Sequence, residues 1–201
     1  MRKVLKVLSL FILFGLLFFL GYVFWRYSAW YKDFNERKGK DIVCIGGNET
    51  LNEEDMGFSK RIENFILSDS YFEFITFSQK EILYLIRKSI PETESVKIDE
   101  MCLISDSGRW RLYFHTKLGS LRLPWVGIDI VKDKRETAEL YSQGIFLGDM
   151  SIPHRLSKGF SSKISKGLSD ALLVVTENRF LGKDIKNIDL LKDSVVFKGS
   201  L

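Results

Sequence analysis

The chain has 201 residues, with 30 Lys and Arg against 26 Asp and Glu, 45% apolar residues and 13% aromatic ones. That composition excludes a disordered chain, and two cysteines and three prolines exclude a disulfide-dense miniprotein or a collagen-like repeat. The mean hydropathy of −0.02 and the pI near 8.9 describe an ordinary, slightly basic globular protein.

Those averages conceal two unlike pieces. From Val7 to Trp25 no residue is charged. As a helix this run rises about 28 Å, close to the hydrocarbon thickness of a bilayer. It is longer than a secretory signal core, and no small-residue cleavage pattern follows it. Tyr22, Trp25, Tyr27, Trp30 and Tyr31 form an aromatic cluster of the kind found at a lipid–water interface. The sequence therefore divides into a short tail (1–6), a transmembrane anchor (7–25), a polar juxtamembrane helix extension or spacer (26–40) and a soluble domain (41–201). Arg2, Lys3 and Lys6 favour a cytoplasmic N-terminus, while Arg26, Lys32, Arg37, Lys38 and Lys40 favour the reverse. The charges alone leave the orientation open.

Residues 41–58 suggest a short strand and then an acidic loop. Residues 59–68 place Ile62, Phe65 and Ile66 at helical spacing. Residues 71–77 alternate as a strand, with Ile75 and Phe77 on one side and Phe74 and Thr76 on the other. Ser78 with Glu81 is a capping-box signature. The helix after it should run over 79–89, bury Ile82, Leu83, Leu85 and Ile86, and stop before Pro91.

The middle is strand-rich: Val96–Ile104, a Ser105–Gly108 turn, and Arg109–Leu118. In the last of these Trp110, Leu112 and Phe114 oppose a polar side made of Arg111, Tyr113 and His115. Gly119-Ser120 should turn the chain into an antiparallel strand over Leu121–Val131, with an edge or bulge at Pro124. Residues 136–147 give a further strand, broken near Gly144. A long amphipathic helix should follow Pro153, with Leu156, Phe160, Ile164 and Leu168 on one stripe and Ala171, Leu172 and Val175 continuing it. A final hairpin is expected from Ile185–Leu191 and Val195–Lys198. The fold class is thus α+β: a transmembrane helix, then an antiparallel β-meander packed on one or two amphipathic helices.

The F-[ST]-x-x-E-[IL] helix start at Phe77–Ile82 and the [IF]-x-L-G-x-x-x-[IL]-P run from Ile145 to Pro153 resemble YpmS-like single-anchor bacterial envelope proteins. More distantly, the order of elements is similar to TULIP-like lipid-binding domains, in which a curved sheet wraps a long helix. The resemblance implies a membrane-anchored domain outside the cytoplasm in contact with lipid, and it carries no catalytic residues.

Chemistry-bearing motifs are sparse. His115 and His154 lack a nucleophile motif such as G-x-S-x-G, so both read as surface or packing residues. Cys44 and Cys102 are too far apart in sequence for a paired zinc motif. They read as two buried free thiols, or as one disulfide in an oxidising compartment. Glu53-Glu54-Asp55 matches no EF-hand spacing, and Asn48-Glu49-Thr50 is a chance-level glycosylation sequon. No metal, cofactor or catalytic residue is expected. Residues 26–201 carry 27 basic against 26 acidic groups, so nucleic acid is not an expected partner. The partners expected are the bilayer through 7–25, a bound lipid, or an envelope protein. In the lipid-holding reading Phe160, Ile164, Leu168 and Leu172 line an apolar groove, and Arg155, Lys158 and Lys166 face headgroups. The alternative is a solid-cored structural or protein-interaction module of the membrane surface.

Overall fold

The computed structural model describes residues 2–46, 57–68, 72–89, 96–106, 108–132, 140–153, 155 and 184–200. Helix α1 (Arg2–Arg37) is continuous for 36 residues and contains the apolar run. From Lys6 onward it is long and apolar enough to cross a membrane once, and none of its apolar window is buried. Residues 26–37, read as an extension or spacer, are an unbroken continuation of that helix.

Among the described residues ten strands follow: β1 (Val43–Gly46), β2 (Phe72–Ser78), β3 (Val96–Asp106), β4 (Arg109–Leu118), β5 (Leu121–Arg122), β6 (Val126–Lys132), β7 (Leu140–Leu147), β8 (Met150–Ile152), β9 (Asp184–Leu190) and β10 (Ser194–Ser200). Two short helices, α2 (Phe58–Leu67) and α3 (Gln79–Ser89), complete the described elements. The larger sheet runs β1-β3-β4-β6-β7-β8, with β5 beside the end of β4. The smaller runs β2-β10-β9. Every pair among these strands is antiparallel, so the α+β class holds.

The core lies between the two sheets. Met101, Leu103, Trp110, Leu112 and Ile130 of the larger sheet meet Ile75, Phe77, Ile188, Val195 and Phe197 of the smaller one, with Leu83 and Ile86 of α3 between them. Strand alternation sends these residues inward, and helical spacing puts Ile82, Leu83, Leu85 and Ile86 on one buried face of α3. The α3 start closes as a reciprocal capping box. Ser78 N–H donates to Glu81 Oε2 at 2.8 Å, and Glu81 N–H donates to Ser78 Oγ at 3.3 Å. Glu81 also pairs with Arg61 of α2, tying the two helices together. Polar contacts staple the sheets at one end: Gly108 N–H donates to Leu190 O at 2.8 Å, Trp110 Nε1–H to Leu191 O at 2.7 Å, and Lys132 pairs with Asp189 at 2.9 Å.

Several expectations need correction. The strand expected over Leu121–Val131 is interrupted at 123–125, since Pro124 cannot donate a ladder hydrogen bond. Strand β7 is not broken at Gly144. Instead, Gln143 and Gly144 together oppose Asp129, and Gly144 takes a positive φ of 82°, which makes a bulge. Cys44 and Cys102 are not free thiols. They face each other at paired positions of β1 and β3 and form a disulfide, with Cα atoms 4.0 Å apart. The supposed polar side of β4 is covered, and Tyr113 is as buried as Trp110. The acidic loop at 53–55, the sequon, His154 and the helix from Leu156 to Val175 lie outside the described residues.

Candidate functional site

The cover over β4 is supplied by α1. Tyr27, Trp30 and Phe34 fall at i, i+3 and i+7, one stripe of the helix. That stripe lies on the outer face of the larger sheet. Trp30 packs against Phe34 with ring centroids 4.7 Å apart and against Tyr113 at 5.3 Å. Phe34, 1% exposed, also meets Tyr113 and Trp125, each at 5.1 Å. The Trp125 backbone N–H donates to the Tyr27 hydroxyl at 3.0 Å.

Two glycines make room for these rings. A Cβ on Gly127 would stand 2.7 Å from Tyr113 Cε1, so the tyrosine ring lies across that strand position. A Cβ on Gly148 would stand 2.7 Å from Trp30 Cε3, and Gly148 also holds a positive φ of 60° in the β7–β8 turn. Arg26 pairs with Asp149 of the same turn at 2.9 Å.

At the far end of the stripe Lys38 pairs with Glu100 at 2.8 Å and stands 4.6 Å over the Trp125 ring. Glu100, Cys102 and Ile104 share the outer face of β3, so the disulfide belongs to this same cluster. The ligand atoms of Cys44, Cys102 and Glu100 lie within 4.8 Å of one another. Three such donors suit a soft divalent metal, but here the two sulfurs are bonded to each other. Metal chemistry would first require two thiolates.

His115 stacks on Trp125 at 4.9 Å and 16°. Burial pushes its pKa below the ordinary value, with Asp99 and Glu100 pulling the other way. Its Nδ1 is 3.6 Å from Asp99, too long for a hydrogen bond. The hydrogen bond from Lys117 holds Asp99 below the usual carboxylate range. Among the described residues no hydroxyl or thiol hydrogen-bonds the His115 ring, the contact that an acyl-transfer triad requires. Burial likewise raises the Tyr113 phenol.

On the same face Asp129, fully buried, accepts from Arg109 and Arg111. Arg111 lies 3.7 Å over the Phe146 ring. All the carboxylate's charge is answered within the protein, so this is a structural ion cluster.

Of the residues expected to touch lipid, Arg155 is exposed. Lys158, Phe160, Ile164, Lys166, Leu168 and Leu172 lie outside the described residues. The sequence reading missed the role of Tyr27, Trp30 and Phe34. Tyr27 and Trp30 read as part of an interfacial aromatic cluster, although the i, i+3, i+7 spacing with Phe34 beyond the apolar run was itself a signal.

The fold and site define a class: an α+β domain with a long apolar N-terminal helix clamped to its sheet. No protein-family model matches the chain, and no characterised protein or solved structure does so either.

Proposed function

We propose that this is a single-span membrane protein whose α+β domain is a non-catalytic, solid-cored interaction module held at the outer surface of the membrane. The observation that carries this reading is the unbroken helix. The apolar run passes into a stripe of aromatic side chains that belongs to the domain's own packing. A flexible tether would leave the domain free to turn. A helix that is part of the fold presents one face of the domain in a constant direction.

The Cys44–Cys102 disulfide favours an oxidising compartment and so a domain outside the cytoplasm. The continuous apolar cluster that the two sheets share favours a protein-binding surface over a lipid-holding groove. An envelope protein is the partner that fits both.

Reporter fusions at the C-terminus test the compartment: alkaline phosphatase is expected to be active and a cytoplasmic fluorescent reporter dark. Native mass spectrometry of the full chain released from detergent tests the core. The expected mass is that of protein alone. A stoichiometric lipid adduct would restore the groove formed by Phe160, Ile164, Leu168 and Leu172 and displace this reading.

A further inference from the structure

We propose that the β7–β8 end of the larger sheet sits in the lipid headgroup layer, with the strands lying along the membrane plane and β1 farthest from it. The proposal rests on α1 spanning the bilayer.

The contacts of α1 give its direction across the sheet: residues farther along the helix meet strands farther from β8. Arg26 pairs with Asp149 in the β7–β8 turn. Tyr27 accepts from Trp125, just before β6. Trp30 and Phe34 pack on Tyr113 of β4. Lys38 pairs with Glu100 of β3. From position 26 to position 38 the partners advance across the sheet from the β7–β8 turn, past the start of β6 and β4, to β3.

The lengths agree with a transverse crossing. From position 26 to position 38 the helix rises about 18 Å at 1.5 Å per residue. From the middle of the β7–β8 pair to β3 is three and a half strand spacings, about 17 Å at roughly 4.8 Å each. Had the helix run along the strands, residues 26 to 38 would have met only one or two neighbouring strands; their partners instead lie in the β7–β8 turn, just before β6, on β4 and on β3.

Height above the bilayer follows. The uncharged run ends at Trp25, one residue before Arg26. A headgroup layer is about 5–7 Å thick on each side of the hydrocarbon. Asp149, bonded to Arg26, therefore falls inside it, while Lys38 stands about 20 Å above the hydrocarbon boundary.

The chemistry of the edge suits that position. Among the described residues β8 pairs with β7 alone, which leaves its other edge with unpaired backbone donors and acceptors. Such an edge invites pairing with other chains unless it is covered. Phospholipid phosphates and glycerol esters can accept and exclude at that edge. Ser151 and Arg155 are exposed there, Met150 and Ile152 are half-buried, and Pro153 ends the strand without a donor.

Depth-dependent quenching tests the proposal on the full chain in phosphatidylcholine bilayers. Single variants Ser151→Cys, Lys40→Cys and Phe18→Cys would each carry a fluorophore, with Cys44 and Cys102 protected in their disulfide. All three positions are exposed. A nitroxide on the lipid headgroup is expected to quench the label at 151 several-fold more than the label at 40. A nitroxide on the acyl chain is expected to quench the label at 18. Quenching at 18 with no excess at 151 over 40 would overturn the orientation and leave the span intact. No quenching at 18 would overturn the span, and the orientation with it. Adding Gly148→Val to the first two variants drives a side chain into Trp30 and is expected to abolish the difference between 151 and 40. Persistence of the full difference would overturn the clamp as its cause.

Discussion

Reducing the Cys44–Cys102 disulfide should lower the stability of the domain by about 4 kcal/mol in a chain-entropy treatment. The bond closes a loop with a sequence separation of 58. For a loop of that size the entropy removed from the unfolded chain is about 14 cal/mol/K, which at 25 °C gives that figure. The folded side of the balance changes little. Cys102 is fully buried and Cys44 partly so, and reduction leaves both sulfurs in the cluster with Phe34, Ile42 and Trp125. For a domain of this size each kcal/mol moves the midpoint by roughly 2–4 °C, so a fall of about 8–16 °C is expected. Thermal unfolding of the detergent-solubilised chain, followed by near-ultraviolet circular dichroism with and without a dithiol reductant, measures it. A Cys44→Ala, Cys102→Ala double variant should be insensitive to the reductant. Hydrogen exchange should rise first in β1, the strand that the disulfide ties to β3. An unchanged midpoint on verified reduction would refute the reasoning, because it would mean that the 45–101 segment is already constrained in the unfolded chain.

Three further outcomes are expected. Ser78→Ala removes the hydroxyl that accepts from Glu81 N–H and should cost about 1 kcal/mol in denaturant unfolding, with the slope unchanged. Gly127→Ala places a methyl against the Tyr113 ring and should cost about 1–3 kcal/mol as overpacking, with altered near-ultraviolet signals from Tyr113 and Trp125; a variant of wild-type stability would contradict the close approach. The folded pKa of His115 is depressed, so its contribution to stability is complete above the unfolded value of about 6.5 and is lost as pH falls through the folded value. The groups that face it are Asp99, Glu100, Arg122 and Lys38. Unfolding midpoints should therefore drop on acidification in that window, and His115→Gln should flatten the drop; equal slopes in both proteins would count against it.

Local elements were legible from local chemistry. The α3 start was written in Ser78 and Glu81, because a capping box needs only residues three apart, and both of its hydrogen bonds are present. The bounds Arg109–Leu118 followed from alternation between two turn signals and are those of β4. Its faces were half right. Trp110 and Leu112 point into the core, but polarity misjudged Tyr113, since period-two alternation separates faces without saying what covers each one. The last hairpin was readable from its turn. That β10 also pairs with β2 was not, because the partner strand comes from the other end of the domain and no local pattern names it.

The sequence by itself determined the long apolar N-terminal helix, the α+β class and most element positions, because periods of two and 3.6 are properties of neighbouring residues. It left Cys44 and Cys102 undecided between thiols and a bond, since that depends on the β1–β3 register that brings their Cα atoms to 4.0 Å. It placed Tyr27 and Trp30 in a lipid interface, because an aromatic stripe looks the same whether bilayer or protein covers it. Tertiary structure alone decided that Tyr113, Trp125 and the space over Gly127 and Gly148 receive that stripe. What joins the apolar helix and the domain is thus a packed interface, and such an interface exists only once both of its surfaces have folded.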